Sequence, residues 1–387
     1  MRPETGQETI FLGSGAVRQR FARAYRVLED AIAAKAFPGC AFGVLAGDEI
    51  LVQDALGRFT YEGDAPAVTA ETVYDLASLT KVVATTAAAM LLFERGRLDV
   101  DTPLGALLPA FVARRPADDP ARAVTLRHLL AHNSGLPGYV ELFRTAATPE
   151  ALLQACLALK LEAEPGARAE YSDPGFILLG KALEVVMGGD LAMREDLAAW
   201  TKREIFAPLR LGATRFSPQQ RARAAIPPTE EDAAFRRRRI QGEVQDENAW
   251  VLGGVAGHAG LFSNVPDLLR FASAILSVEG AEDGAGNEQI RLVRGETVER
   301  FARRQAPEGS SRALGWDTPS GKSSSGKHFS KHSIGHLGYS GCSLWIDLDA
   351  RIAVVLLTNR TWPDRKSQLI REVRPAFHDA IREALGR

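Results

Sequence analysis

Residues 75–96, DLASLTKVVATTAAAMLLFERG, contain a run that is apolar nearly all round: Val82, Val83, Ala84, Ala87 to Ala89 and Met90 to Leu92. A helix without a polar face is stable only inside a protein core, so the rest of the chain must be built to enclose it. Asp75 at its start and Gly96 at its end are the expected cap and stop. Ser78 then falls in the first turn, and Lys81 projects from the same face one turn later.

With 387 residues the chain exceeds what one core comfortably organises, so two lobes or one domain with a large insertion is expected. Two strand-like runs around Gly47-Asp48 predict an antiparallel hairpin near the N-terminus, and CSLWIDLDARIAVVLLTNR (342–360) repeats the pattern near the other end. Helical periodicity marks 17–35, closed by Pro38-Gly39, and 368–385. The expected fold class is therefore α+β: an antiparallel sheet from both termini flanked by helices, with an inserted, mostly helical lobe. Its sheet lobe takes residues 15–75 and 300–387 and its helical lobe 76–299, together forming one composite catalytic domain with a crevice between the lobes. Residues 217–250 show neither period and read as a surface excursion and candidate lid. Its run Arg236 to Arg239 reads as a solvated basic loop rather than a phosphate site. The polar stretch 318–333 reads as flexible.

Composition bounds the partners. The 47 Lys plus Arg against 48 Asp plus Glu leave a net charge of -1, with no global field to draw nucleic acid or an anionic membrane. A small-molecule substrate is expected; oligomeric state is not legible. Cys40, Cys156 and Cys342 are odd in number and lack CxxC spacing, so they read as buried free thiols. The N-terminal MRPETGQETIFLGSGAVRQRF lacks a secretory h-region, and no window approaches the roughly 20 apolar residues of a membrane span. The expected location is cytoplasmic as sequenced, or periplasmic or secreted if a leader has been removed.

A serine hydroxyl becomes a nucleophile when a neighbouring base takes its proton, and a lysine serves only if its surroundings lower its pKa. Ser78-x-x-Lys81 is a weak signal alone. Two further elements follow in order: EYSDPGFILLG, with Tyr171 and Ser172 before an Asp-Pro helix start, and GHLGYSGCSLWID, with His336 and Gly338 at a strand entry. With 96–109, 125–139 and 253–272, these stretches make the chain resemble the serine β-lactamase and penicillin-binding protein superfamily, specifically its class C-like branch of β-lactamases, D-alanyl-D-alanine carboxypeptidases and esterases.

The resemblance, over residues 30 to 385, implies an acyl-serine hydrolase acting on an ester, amide or β-lactam carbonyl without a cofactor. It makes Ser78 the nucleophile, Lys81 its partner in proton transfer and Tyr171 a general base and proton shuttle. The oxyanion hole would be the N–H groups of Ser78 and Tyr339, beside Gly338, with His336 lining the substrate's other side. Two positions depart from the family pattern. Asp173 stands where Asn is usual and is either a helix cap before Pro174 or a site residue; facing Lys81, it would hold the ammonium form and leave more of the base role to Tyr171. His336 stands where Lys is frequent, which makes the crevice less positive and favours neutral esters or amides. A catalytically impaired binding or regulatory module on the same fold is the alternative. His128 and His132 have the i, i+4 spacing of a zinc pair but no accompanying Glu, so no metal site is expected. Ser340 in GYSGC and the SGKS at 320–323 fail their motif contexts.

Overall fold

The computed structural model describes residues 14–188, 195–277 and 290–386; the N-terminal stretch up to residue 13, where a leader would be sought, lies outside them. A five-stranded antiparallel sheet is built from β1 (Gly39–Ala46), β2 (Glu49–Gly57), β3 (Ser333–Leu337), β4 (Ser343–Asp347) and β5 (Ile352–Thr358), in the order β2-β1-β5-β4-β3. The first and last strands pair at its centre, from Cys40 opposite Thr358 to Ala46 opposite Ile352. Strands buried on both faces read as continuous apolar runs, which is why both were visible in the sequence.

Alternate residues serve two cores, as the two-residue period of a strand requires. Phe42, Val44, Val354 and Leu356 pack with the helices α1 (Ala22–Ala33) and α5 (Ile370–Ala384). Ala41, Leu45, Val355 and Leu357 face the larger core. There helix α4 (Val265–Leu276) lies so close that a Cβ on Gly43 would stand 2.5 Å from Val265.

The apolar run forms the centre of that larger core. It begins as a 3₁₀ turn at Ala77–Leu79, widens into π-type turns over Lys81–Thr86 and continues as the helix α2 (Ala87–Glu94). By length and composition residues 77–94 match a membrane span, yet 83% of that window is inside the protein. Gly96, at φ 67°, ends the helix.

Two segments are more ordered than their composition suggests. In the excursion 217–250, Pro228–Asp232 and Arg238–Gln241 form a hairpin. Asp232 accepts the N–H groups of Ala234, Phe235 and Arg236 and pairs with the buried Arg236 guanidinium, which also donates to the carbonyls of Val244 and Gln245. Arg238 pairs with Glu243 and Arg239 with Glu231, so three of the four arginines are engaged internally and the basic run offers no phosphate cradle. The excursion is also bonded to 359–365: Asn359 donates to the Pro228 carbonyl, and Arg365 pairs with Glu230 and Glu247. These bonds hold it to the segment that follows β5. The stretch 318–333 is likewise tied down, with the Lys327 N–H on Asp379 and the Ser330 N–H on Asp347.

Helix α3 (Asp173–Gly188) crosses the loop 253–260 through two glycines. A Cβ on Gly257 would lie 2.1 Å from the Phe176 carbonyl oxygen, and one on Gly180 would lie 2.9 Å from Gly257. Gly257→Ala is therefore expected to destabilise the protein by about 1–3 kcal/mol, the usual cost of overpacking. Urea unfolding checks this, and an unchanged midpoint would refute the close approach.

Candidate active site

Three backbone segments converge on Ser78. The first is its own turn, which is strained: Ala77 has φ 47°, a left-handed conformation uncommon for a residue with a side chain. Asp75, fully buried, holds that turn. One carboxylate oxygen accepts the Ala77 N–H at 2.8 Å and the other the Gln245 N–H at 2.7 Å. Burial pushes the Asp75 carboxyl up to about 6 against the opposing effect of those two donors.

The second segment is the start of α3. Tyr171 OH lies 2.7 Å from Ser78 Oγ. Ser172, not Asp173, caps the helix, since its Oγ accepts the Gly175 N–H at 3.0 Å. Asp173 is thereby free to face inward, where its carboxylate lies 2.6 Å from Lys81 Nζ. The cap-or-site question at Asp173 resolves toward the site because the neighbouring serine takes the capping bond.

Lys81 is the hub. Its side chain is fully buried, and Nζ donates to Ser78 Oγ at 3.1 Å, to Asp173 and to the His258 carbonyl at 3.0 Å. Burial alone would lower its pKa, but the Asp173 and Tyr171 oxygens outweigh it and the net direction is upward. Lys81 is therefore an ammonium at neutral pH. Tyr171 is pushed up to about 12, mainly by burial and then by the Asp173 charge, with Lys81 opposing. The His258 ring shares a 2.8 Å hydrogen bond with Asp246, so this histidine contributes its backbone oxygen, not its imidazole, to the lysine.

The third segment is the turn after β3. Gly338 packs against the nucleophile turn so closely that a Cβ would stand 2.4 Å from the Leu76 carbonyl oxygen, and Ser340 Oγ donates to the Asp75 carbonyl at 2.7 Å. Ser340 is thus a buried turn pin. The amides of Ser78 and Tyr339 meet no hydrogen-bond acceptor among the described residues. His336 is buried and held well below its ordinary pKa by burial and then by the Lys81 and Arg312 charges, so it is neutral. Its Nδ1 lies 2.8 Å from the Leu337 carbonyl.

The cavity over these groups, about 420 Å³, is lined by Ser78, Tyr171, His336, Gly338 and Tyr339, and by four arginines, Arg312, Arg360, Arg371 and Arg374, against the one carboxylate of Asp317. A neutral His336 therefore does not leave the crevice without positive charge, contrary to the expectation from that position alone. Arg312 lies 3.9 Å from Asp317 and stacks over the Tyr171 ring; Arg371 is exposed and has no ion-pair partner among the described residues. A larger cavity of about 820 Å³, beside Lys202, Phe206 and Phe216, contains none of these groups and offers no comparable chemistry.

Sequence reading missed the arginines, which have no motif around them. It also set aside His132, whose buried ring is stacked 4.8 Å from Phe176 and 4.7 Å from Tyr171, and whose Nδ1 accepts the Ser172 N–H at 3.0 Å. His128 does not join it: its Nδ1 accepts the Thr125 N–H at the start of its own helix, Leu126–Leu130.

Several known proteins are similar to this chain. The Beta-lactamase family model matches residues 24–375. The N-acetylmuramyl-L-alanine amidase of Bacillus subtilis strain 168 is 31% identical over 373 residues, covering 87% of this chain and 80% of that protein. A candidate D-alanyl-D-alanine carboxypeptidase of Salmonella typhi is 29% identical over 354 residues, covering 84% and 79%. Among solved structures, a hydrolase with promiscuous acyltransferase activity superposes with a TM-score of 0.72 at 22% identity, covering 95% of this chain and all of its own.

The Lys81–Asp173 contact predicts a pH effect. Asp173→Asn removes the charge that holds the ammonium, so the Lys81 pKa falls and the alkaline limb of kcat/KM, where Lys81 loses its proton, moves to lower pH. An alkaline limb in the same place would mean that Asp173 does not govern Lys81.

Proposed function

The chain belongs to the Beta-lactamase family of serine hydrolases, and we propose that it cleaves an amide bond in a small acylated amino acid or peptide carrying a free carboxylate, through an acyl-Ser78 intermediate. The observation that carries this reading is Ser78 Oγ within hydrogen-bond reach of both Tyr171 and Lys81 on the floor of an arginine-lined cavity.

Lys81 stays charged, so the seryl proton passes to Tyr171. A free phenolate is scarce below about pH 12. Tyr171 avoids it by accepting the Ser78 proton as it gives its own to the leaving nitrogen, with the adjacent ammonium stabilising negative charge on the phenol oxygen during the transfer. The carbonyl carbon bonds to Oγ, and the carbonyl oxygen takes its charge between the Ser78 and Tyr339 N–H groups. Collapse expels the amine, and water then releases the acyl group by the same relay in reverse. The intact Ser78–Tyr171–Lys81 contacts favour turnover over a binding module.

The arginines favour an anionic substrate, since guanidinium groups grip carboxylates with charge-assisted bonds. Both relatives are named for cutting amide bonds, which points the same way. The test is hydrolysis of an N-acetylmuramyl-L-alanine peptide, a D-alanyl-D-alanine peptide, a chromogenic cephalosporin and a neutral p-nitrophenyl ester by wild type and Ser78→Ala. Turnover of an anionic amide that vanishes in the variant is the expected result. Preference for the neutral ester would overturn the substrate class. Arg371→Ala is expected to raise KM for the anionic substrate roughly ten- to hundred-fold, the worth of one charge-assisted hydrogen bond, with the neutral ester changed less than about two-fold. Equal effects on both would remove Arg371 from substrate recognition.

A further inference from the structure

Arg374, on α5, is buried, and its guanidinium donates to three peptide carbonyls of one turn: Gly338 at 2.6 Å, Cys342 at 2.8 Å and Gly341 at 3.1 Å. No carboxylate lies within ion-pair reach of it among the described residues, and the same is true of Arg360, whose Nε donates to the Tyr339 carbonyl at 2.8 Å. Burying a charge without a counter-charge is costly, and a neutral donor would satisfy these carbonyls at less expense. Burial, with the Arg360 charge adding to it, lowers the Arg374 pKa to about 10, as expected of a cation without a counter-ion.

The placement supplies a reason for the charge. The peptide group that contains the Gly338 carbonyl is the one that contains the Tyr339 N–H. Drawing electrons toward the carbonyl end of a peptide makes its N–H a stronger donor, as in any cooperative hydrogen-bond chain. The Gly341 N–H also bonds that carbonyl, at 3.0 Å, and fixes the peptide plane. The turn is braced on the nucleophile segment through Leu76 and Asp75, so the polarised amide cannot drift from Ser78.

We propose that Arg374 is a positioning residue for the transition state: through the Gly338 carbonyl it orients and polarises the Tyr339 N–H, and its unbalanced charge favours the oxyanion over the neutral carbonyl. This rests on the reading of Ser78 as nucleophile and the Tyr339 N–H as oxyanion donor. Arg374 touches no reacting atom.

The test uses the full chain with Arg374→Met, which keeps an aliphatic stem without charge, and Arg374→Lys, which keeps charge but reaches fewer carbonyls. Three quantities are read on folded protein, with active sites counted by a fluorophosphonate that phosphonylates the serine: kcat/KM for a neutral p-nitrophenyl ester, affinity for phenylboronic acid, and affinity for a planar neutral amide. The boronate forms a tetrahedral anion on Ser78, whereas the amide stays planar and neutral. Arg374→Met is expected to lose about 10²-fold in kcat/KM, the scale of one oxyanion donor. It should lose a similar factor in boronate affinity and less than about two-fold in amide affinity, with Arg374→Lys between it and wild type. A folded variant with wild-type boronate affinity overturns the proposal, as does an equal loss for boronate and amide. If Arg374→Met does not fold, the same comparison is made on Arg374→Lys, and the same two results overturn the proposal there. Failure of the underlying reading looks different: wild type would then not be labelled at Ser78, or Ser78→Ala would bind boronate as wild type does.

Discussion

A buried ammonium organises this site. Lys81 Nζ sits at the meeting point of the helix that carries Ser78, the start of α3 and the loop 253–260, and it bonds to one oxygen from each. An isolated cation there would be intolerable, and removing one partner of a buried ion pair costs about 3–5 kcal/mol. Each of the three segments is thus required to place an oxygen within about 3 Å of one nitrogen. The π-type turns of Lys81–Thr86 and the glycine contact between Gly180 and Gly257 are local departures from regular packing that let this happen.

Charge is distributed in a way the total conceals. The chain is close to neutral, yet its site cavity gathers four arginines around one carboxylate. Two of them, Arg360 and Arg374, are bonded to carbonyls instead of acids. The potential in the cavity is set by these fixed groups and by a neutral His336, so the identity of a single residue at that position is a poor guide to what the crevice attracts.

Much of the fold was legible because it rests on periodicity. Residues 39–46 and 352–357 are apolar throughout, the run 82–92 has no polar face, and both signals survive without knowledge of what packs on them. Ser78, Lys81 and Tyr171, which spacing and motif order single out, are brought together by the fold. What escaped depends on bonds between side chains and distant backbone. The hairpin at 228–241 is held by Asp232 and Arg236, which leave no alternation to read. Asp173 could not be assigned until Ser172 was seen to take the cap. Arg312 enters the cavity from a loop, and Arg371 and Arg374 from neighbouring turns of α5, where nothing in the sequence sets them apart from ordinary surface arginines.

The central pairing of β1 with β5 has a temporal meaning. Partners some 310 residues apart in the chain, Cys40 and Thr358 among them, cannot meet until everything between them has been synthesised. Through that interval β1 lacks its inner neighbour, and the apolar helix after Ser78 lacks the core layer that β5 supplies. The turn bearing Tyr339 is made long after Ser78 and Lys81 and shortly before β5. A ribosome-bound chain therefore carries Ser78 and Lys81 well before the Tyr339 turn and β5 exist to pack beside them, and the site is completed in the slow, long-range manner of a high-contact-order sheet.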